Sequence, residues 1–278
     1  MLKDVTLGQF FPGSSLLHRA DPRMKIIVAI AYIVFVFFAD NSAAYIAALA
    51  FTLVLVFVSR IKLRVILKGL KPLLFIILFT AFFNIFWTKG TTAPLFEYGI
   101  VTIYREGLWF AAVMILRVAC ILAGSSIILT YTTSPIALTD GLERLLSPLK
   151  IIRLPVHEFS MMMTIALRFI PTLIEETDKI MNAQKARGAD FNSGGLIKRA
   201  KALLPVLIPL FASSFRRAGE LATAMECRCY RGDKGRTRMT KLKLGRYDLL
   251  TFVVFAAFGV GVILCNIYLG WFLTFGIK

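Results

Sequence analysis

Apolar runs occupy much of this chain, and their lengths limit what it can fold into. A helix that crosses a bilayer needs about 20 predominantly apolar residues. Five segments approach or exceed that length: Ile26–Ala39, Ala43–Val58, Pro72–Trp87, Gly107–Tyr131 and Leu249–Phe275. The sequence therefore predicts an all-α integral membrane protein with about five transmembrane helices. The first two segments are short, so they form a hairpin of short or tilted helices, merge into one span, or are partly re-entrant.

Positive charge is separated from these apolar runs. The chain is 58% hydrophobic, yet its formal net charge is +17 at pH 7. Lysine and arginine concentrate in 59–71 and after 133, whereas the loop at 88–106 is neutral. Basic loops of membrane proteins remain in the cytoplasm. The N-terminus and the long basic segment are therefore predicted to be cytoplasmic, in a multi-pass membrane protein.

This topology divides the chain into four regions. Residues 1–25 form a cytoplasmic N-terminal segment, 26–132 the membrane helices, 133–247 a cytoplasmic helical domain, and 248–278 a C-terminal membrane helix. The basic residues do not alternate with aromatic ones, as they do on many nucleic-acid-binding surfaces. The expected surroundings are a lipid bilayer and other proteins, with no nucleic acid.

Two long amphipathic helices are predicted inside the cytoplasmic domain. Apolar residues recur in steps of three and four over 159–184, and again over 204–225, where the stripe includes Leu204 and Phe211. The face opposite the first stripe carries Glu175, Glu176, Asp178 and Lys179. A turn signal at 192–195 separates the two stripes, so the helices are expected to form an antiparallel pair. Three prolines lie within the stripes, at Pro171, Pro205 and Pro209. Because proline removes a helical hydrogen bond, the helices are expected to kink or to break into shorter pieces.

Each stripe runs into an arginine between two small residues. The two triplets are Ala186-Arg187-Gly188 and Cys227-Arg228-Cys229. Taken singly, such a triplet is typical of an ordinary helix C-cap. Two copies with similar residues upstream favour a functional pair instead, because small neighbours leave each guanidinium accessible to a partner. Arginine suits such a contact since its rigid fork can make several hydrogen bonds to one acceptor group.

The sequence contains no recognisable catalytic or metal-binding pattern. The phosphate-binding pattern G-x-x-x-x-G-K-[ST] is absent, and a faint echo of it at 232–237 has the wrong spacing. Two distant histidines make a structural zinc site improbable, and four cysteines give no disulfide framework. We therefore expect a non-enzymatic protein with no catalytic residues and no metal site.

Two further features have more than one interpretation. Arg117 lies within a predicted span, where charge is costly. It is either a functional residue, or it has a tertiary partner, or the span begins later. Met161, Met162 and Met163 form either an adaptable contact surface or ordinary core packing.

The arginine triplets and their contexts, 183–191 and 224–232, resemble the two X-Arg-X motifs of the T component of energy-coupling factor (ECF) transporters. Residues 15–25 resemble that family's entry segment, and Arg168-Phe169-Ile170-Pro171 is similar to a run in its first coupling region. The resemblance covers nearly the whole chain. One departure is that cysteines flank Arg228, where alanine and glycine are more usual.

The resemblance implies a scaffold in the bacterial cell membrane, in which the two long helices act as coupling helices. Arg187 and Arg228 would each enter a groove on one of two P-loop ATPase subunits, expected to be a heterodimer. The small residues Ala186, Gly188, Cys227 and Cys229 would flank those contacts. The chain itself would hold no cofactor, because ATP and Mg²⁺ would bind to the ATPase subunits.

The resemblance also implies a membrane-embedded, substrate-binding S component for vitamin or metal-ion uptake. Its expected contacts on this chain are Met161, Met162, Met163 and Phe169. From the residues alone, the alternative is a self-sufficient channel or secondary carrier with a cytoplasmic helical cap. A carrier would be expected to have inverted repeats or polar sites near the midplane, and only Arg117 and Asn84 are candidates for such a site.

Overall fold

The computed structural model describes residues 10–87, 96–98, 101–152, 155–191, 195–232 and 245–268. Its helices are α1 (Leu16–Arg19), α2 (Pro22–Phe37), α3 (Ser42–Ser59), α4 (Leu63–Leu70), α5 (Leu74–Trp87), α6 (Arg105–Ser125), α7 (Pro135–Leu146), α8 (Val156–Ala186), α9 (Leu196–Cys227) and α10 (Arg246–Tyr268). A short antiparallel hairpin pairs β1 (Phe96–Tyr98) with β2 (Val101–Ile103). The chain forms two compact units, divided near Leu142 and near Leu242.

The first unit contains α1 to α6 and α10, and the second contains α8 and α9. The region boundaries predicted at 25, 132 and 247 stay predictions. Parts of the predicted features lie outside the described residues: positions 1–9, the turn at 192–194, the phosphate-loop echo at 233–237 and the end of the last span at 269–275.

Four stretches of helix among the described residues are long and apolar enough to cross a bilayer. They are Ser42–Ser59, Leu63–Phe86, Arg105–Tyr131 and Arg246–Tyr268. They confirm the predicted all-α membrane protein. Helix α2 has only 16 residues, about 24 Å at 1.5 Å per residue, whereas the hydrocarbon core is about 30 Å thick. The predicted count of five spans therefore depends on whether α2 crosses the bilayer. The first two apolar segments form separate helices and do not merge into one span.

The basic stretch at 59–71 is not the loop that its charge suggested. Most of it is α4, which continues through a 3₁₀ turn (Lys71–Leu73) into α5. Ile66 is buried while Lys68 is exposed. The helix is thus amphipathic, and its cations share an element with the apolar residues that follow.

The first unit is organised around Tyr32, which is fully buried. Its hydroxyl donates to the carbonyl oxygen of Cys120 at 2.9 Å and lies 2.8 Å from Oγ1 of Thr52. Its ring stacks on Phe258 of α10. Gly124 lets the ring approach α6, since a Cβ at that position would overlap the ring. One side chain of α2 therefore contacts α3, α6 and α10 together.

A buried polar cluster fixes the start of α2. Lys25 is buried and donates from Nζ to the carbonyl oxygen of Thr132 at 2.9 Å. Asp21 caps the helix by accepting the N–H of Arg23 at 2.9 Å, and its own N–H donates to Oδ1 of Asp248 at 2.5 Å. The cluster joins the start of α2 to the start of α10 and to the chain after α6.

Side chains from two other helices satisfy the backbone at the opposite end of α2. Arg117 of α6 donates to the carbonyl oxygen of Ala39 at 2.8 Å and to the hydroxyl of Tyr45. Asn266 of α10 donates to the carbonyl oxygen of Phe38 at 2.6 Å. Because unsatisfied carbonyls are costly in hydrocarbon, these contacts allow so short a helix to end within the protein. Of the interpretations left open for Arg117, the structure shows a tertiary partner.

Replacement of Arg117 by leucine is expected to destabilise the protein by about 2 kcal/mol, because the carbonyl of Ala39 loses a charged donor in a partly buried site. The measurement is the thermal unfolding of purified protein in detergent. Arg105 lies at the exposed start of the same helix, so Arg105→Leu serves as the control, with an expected change within about 0.5 kcal/mol. An equal loss of stability in the Arg117 and Arg105 variants would contradict the role assigned to Arg117.

Candidate functional site

Helices α8 and α9 dominate the second unit, with 31 and 32 residues. Each runs without interruption through its prolines, so a break at Pro171, Pro205 or Pro209 is excluded, whereas a kink there stays a prediction. A proline costs a helix one backbone hydrogen bond. Here the remaining bonds and the contact between the two helices are sufficient to keep each helix continuous.

An apolar groove of about 290 Å³ lies between the two helices. Helix α8 contributes Ile165, Phe169 and Leu173, which are spaced one turn apart. Helix α9 contributes residues from Ser214 to Met225. This part of the predicted stripes does form the contact between the helices.

The carboxylate of Glu176 links α8 to α9. Its Oε1 accepts a hydrogen bond from Oγ of Ser213 at 2.5 Å, and its Oε2 forms an ion pair with Nη2 of Arg217. The sequence placed Glu176 with Glu175 on a polar face opposite the apolar stripe. That prediction is wrong for Glu176, which faces α9, whereas Glu175 is exposed.

This link also gives the sense in which the helices pass each other. The groove residues of α8 precede Glu176, whereas those of α9 follow Ser213. Ascending positions on one helix thus meet descending positions on the other. The predicted antiparallel pairing is consistent with these contacts.

Helix α8 ends in a Schellman motif. Arg187 is the C-cap, and the N–H of Gly188 donates to the carbonyl of Lys185 at 2.9 Å. The N–H of Ala189 donates to the carbonyl of Gln184 at 3.0 Å. Gly188 has φ +88°, the left-handed conformation that this motif requires. The last carbonyls of the helix are thereby satisfied by backbone groups.

Helix α9 ends with the same backbone closure. Arg228 is its C-cap, the N–H of Cys229 donates to the carbonyl of Glu226 at 2.8 Å, and the N–H of Tyr230 donates to the carbonyl of Met225 at 3.1 Å. Cys229 has φ +55°, which costs a residue with a Cβ about 1–2 kcal/mol. The two helix ends are equivalent in backbone geometry, although only the first has glycine at the strained position.

Both arginine side chains are accessible. Arg187 and Arg228 are exposed. The small residues that flank them, Ala186, Gly188, Cys227 and Cys229, are exposed as well. In the part of the chain that the structure describes, neither guanidinium has a hydrogen-bond or ion-pair partner. Each is therefore free to bind an acceptor outside the chain.

The residues predicted to contact a membrane partner do not share one environment. Met162 and Met163 are exposed, and Met161 is half-buried. Phe169 lines the groove between the helices. Met162 lies on the same stripe of α8, two turns before Phe169, and continues the groove as an open apolar surface.

A second exposed apolar surface lies on α9, and two of its four residues belong to the stripe predicted from the sequence. Leu204, Ile208, Phe211 and Phe215 follow one another in steps of four, three and four, and they are 51% to 76% exposed. We call these four residues the α9 stripe. Leu204 and Phe211 lie on the predicted apolar stripe, but the buried positions in this part of α9 are Val206 and Ser213. Apolar residues occupy every face of the helix over 203–215, so the sequence pattern alone did not identify the buried face.

The described residues contain no cluster of three or more His, Cys, Asp or Glu side chains that could hold a metal ion. Exposed Cys227 and Cys229 are free thiols. Besides these thiols, the site presents two accessible guanidinium groups and two apolar surfaces.

Comparison with known proteins gives matches over most of the chain. The family model CbiQ, described as cobalt transport protein, matches residues 13–239. The energy-coupling factor transporter transmembrane protein EcfT of Clostridium kluyveri is 55% identical over 250 residues, which cover 90% of this chain and 92% of that protein. The EcfT protein of Ruminiclostridium cellulolyticum is 53% identical over 264 residues, or 95% of this chain and 98% of that protein. The EcfT protein of Brevibacillus brevis is 51% identical over 274 residues, which cover 99% of this chain and 100% of that protein.

Replacement of Gly188 by alanine is expected to destabilise the end of α8 by about 1 kcal/mol, because of its left-handed backbone. An added Cβ would meet no atom within 4 Å, so the cost is conformational. Gly219 also has open space around it but lies inside α9, so Gly219→Ala should stabilise by about 1 kcal/mol. Cys229→Gly should stabilise the end of α9 by about 1 kcal/mol. Thermal unfolding in detergent measures all three, and a shift of the two alanine variants in the same direction would contradict the assignment.

Proposed function

The chain belongs to the cobalt transport protein family CbiQ as the transmembrane T component of an energy-coupling factor transporter, and we propose that it transmits ATP-driven motion within that complex. Two P-loop ATPase subunits, a heterodimer, bind ATP and Mg²⁺. A membrane-embedded S component binds the vitamin or metal ion. This chain is the non-catalytic connection between them in the cell membrane, with its N-terminus in the cytoplasm.

The observation that carries this proposal is the equivalence of the two helix ends. At each of them backbone N–H groups already bond to carbonyls of the last helical turn, so the arginine side chain is not needed to cap the helix. Arg187 and Arg228 are exposed and have no partner among the described residues. A guanidinium in this situation can bind carbonyl or carboxylate groups of a groove with several of its five N–H donors. Each arginine docks one ATPase subunit.

The flanking residues decide how closely a subunit can approach. Ala186 and Gly188 carry at most one methyl group, and Cys227 and Cys229 carry a small thiol. None of them can cover the guanidinium or hold a groove wall away from it. Small flanks therefore allow the arginine to enter a narrow groove along its full length.

The exposed apolar surfaces of α8 and α9 are the proposed docking surface for the S component. Large exposed apolar patches on a protein mark contacts with other proteins or with lipid. Met162 and Met163 form one such patch on α8, and the α9 stripe forms another on the second of the two helices that carry the arginines. Met161 and Phe169, both partly exposed, complete the proposed contact. A displacement of these helices would thus reach the S component directly.

The alternative of a self-sufficient carrier has less support. Arg117 donates to Ala39 and Tyr45 instead of facing a binding site. Asn84 donates from Nδ2 to the carbonyl of Thr80 in its own helix, at 2.8 Å. Both residues that were candidates for a midplane site thus make contacts within the protein, among the residues that the structure describes.

The double replacement Arg187→Ala/Arg228→Ala is expected to reduce transport at least tenfold and to weaken capture of the ATPase subunits, because each tip loses about 1.5–3 kcal/mol of charged hydrogen bonds. Transport is measured with the reconstituted complex, and subunit capture by affinity purification. The control, Lys179→Ala/Arg216→Ala, removes one exposed cation from each of the same helices and should change neither readout. Lysine at both tips should restore only part of the activity, because it lacks the fork. Normal transport by the alanine double variant would refute the docking role.

Replacement of Phe211 by serine is expected to reduce capture of the S component about tenfold, since truncation of a central interface residue costs more than 1 kcal/mol. Capture of the ATPase subunits should be unchanged. The control is Phe57→Ser in α3, where a phenylalanine that is even more exposed than Phe211 lies outside the proposed surface. Undiminished capture of the S component by the Phe211 variant would remove the α9 stripe from the interface.

A further inference from the structure

The link between α8 and α9 lies at the same distance along the chain from both docking arginines. Eleven residues lead from Glu176 to Arg187, and eleven lead from Arg217 to Arg228. At 1.5 Å per residue, each stretch of helix is about 16 Å long. We call these two stretches, 176–187 and 217–228, the arms.

We propose that the contact of Glu176 with Ser213 and Arg217 is a pivot that sets the separation of the two arginines and passes movement from one arm to the other. The inference rests on the proposed function, because it assumes that both tips carry ATPase subunits. It adds three positioning residues, none of which touches a partner subunit in this scheme.

The chemistry of the contact suits a pivot. A single carboxylate accepts from two donors that lie one helical turn apart on α9, so it holds α8 at one defined point of α9. The side chains of Glu176 and Arg217 are only 20% and 35% exposed, and Ser213 is buried. Partial burial strengthens a hydrogen-bonded ion pair relative to a fully exposed one. The helices can therefore turn about this point more easily than they can slide past it.

The packing beside the contact leaves room for such a turn. The groove of about 290 Å³ borders Arg217 and extends along Phe169 and Leu173 of α8. A close-packed interface resists changes of angle, because side chains that interdigitate must first separate. An unfilled groove next to a polar contact removes part of that resistance on one side.

The sense of the helices determines what a turn would do. Since ascending positions on α8 meet descending positions on α9, the arms leave the contact in opposite directions. A change of angle between the helices therefore changes the separation of Arg187 and Arg228. Conversely, two ATPase subunits that approach each other would change the angle at the pivot.

The test uses the reconstituted complex with Glu176→Gln, which keeps the size of the side chain and removes its charge, and with Arg217→Gln, which removes the charge and shortens the side chain. Their neighbours Glu175 and Arg216 are exposed, so Glu175→Gln and Arg216→Gln are matched controls. The readout is substrate transported per ATP hydrolysed. We expect the pivot variants to keep ATP hydrolysis within about twofold and to lose transport about tenfold, a cost close to that of one charged hydrogen bond. The controls should match the unaltered protein.

Spin labels at Ala183 and Ala224, equivalent positions before the two tips, report the separation of the arms. The labelled background replaces the four cysteines, with alanine for Cys227 and glycine for Cys229 to copy the first tip. Pulsed electron paramagnetic resonance should show a broader distance distribution in the Gln variants than in the controls. The milder variant Ser213→Ala, which leaves the ion pair in place, should show a smaller broadening in the same direction.

A charge reversal, Glu176→Arg with Arg217→Glu, separates a pivot from a merely stabilising contact. Recovery of transport per ATP above the level of either single reversal supports the pivot. Transport per ATP and a distance distribution equal to the controls in Glu176→Gln and Arg217→Gln would overturn it. That result leaves the proposed function intact if the double alanine variant at Arg187 and Arg228 still loses the ATPase subunits. Retention of those subunits by the double alanine variant would refute the proposed function itself.

Discussion

The buried hydroxyl and ring of Tyr32 fix the arrangement of the first unit. Inside a bilayer the hydrophobic effect gives helices little reason to associate, so close packing and hydrogen bonds decide how they meet. Tyr32 provides both, because its hydroxyl bonds to a backbone carbonyl of α6 and its ring fits over Gly124. Arg117 and Asn266 then satisfy the carbonyls where α2 stops. A helix too short to cross a bilayer unaided thus remains part of a specific bundle.

Much of the fold follows from local sequence, and the exceptions have physical reasons. Apolar length alone predicted α3 to within one residue of its observed ends, and predicted the helical stretch Arg105–Tyr131, which contains α6, to within two. It did not predict α4. The cations of this short helix are closely spaced in the sequence, and such a cluster resembles a basic loop. Apolar length also missed the small hairpin, in which pairing depends on contacts between two three-residue strands. The prolines of α8 and α9 were given too much weight, because contacts between helices can compensate for one lost backbone bond.

The candidate site was partly predictable for the same reason. The two arginine triplets are local signals, and both arginines occupy the C-caps where the pattern placed them. Whether Glu175 or Glu176 faces α9 depends on the rotational phase of the helix, because successive residues are 100° apart around its axis. The partners of Glu176 lie 37 and 41 residues away in the chain. No local pattern identifies them, and an apolar residue on every face of α9 hides which face is covered.

The position of the prolines has a mechanical consequence for the two long helices. Pro171 precedes Glu176, and Pro205 and Pro209 precede Arg217, so all three lie outside the arms. A helix bends most readily where a backbone hydrogen bond is missing. The arms, which lack proline, are the stiffest parts of α8 and α9. A force applied at either tip would reach the crossing with little loss, and elastic deformation would concentrate in the segments beyond it, where the apolar surfaces lie.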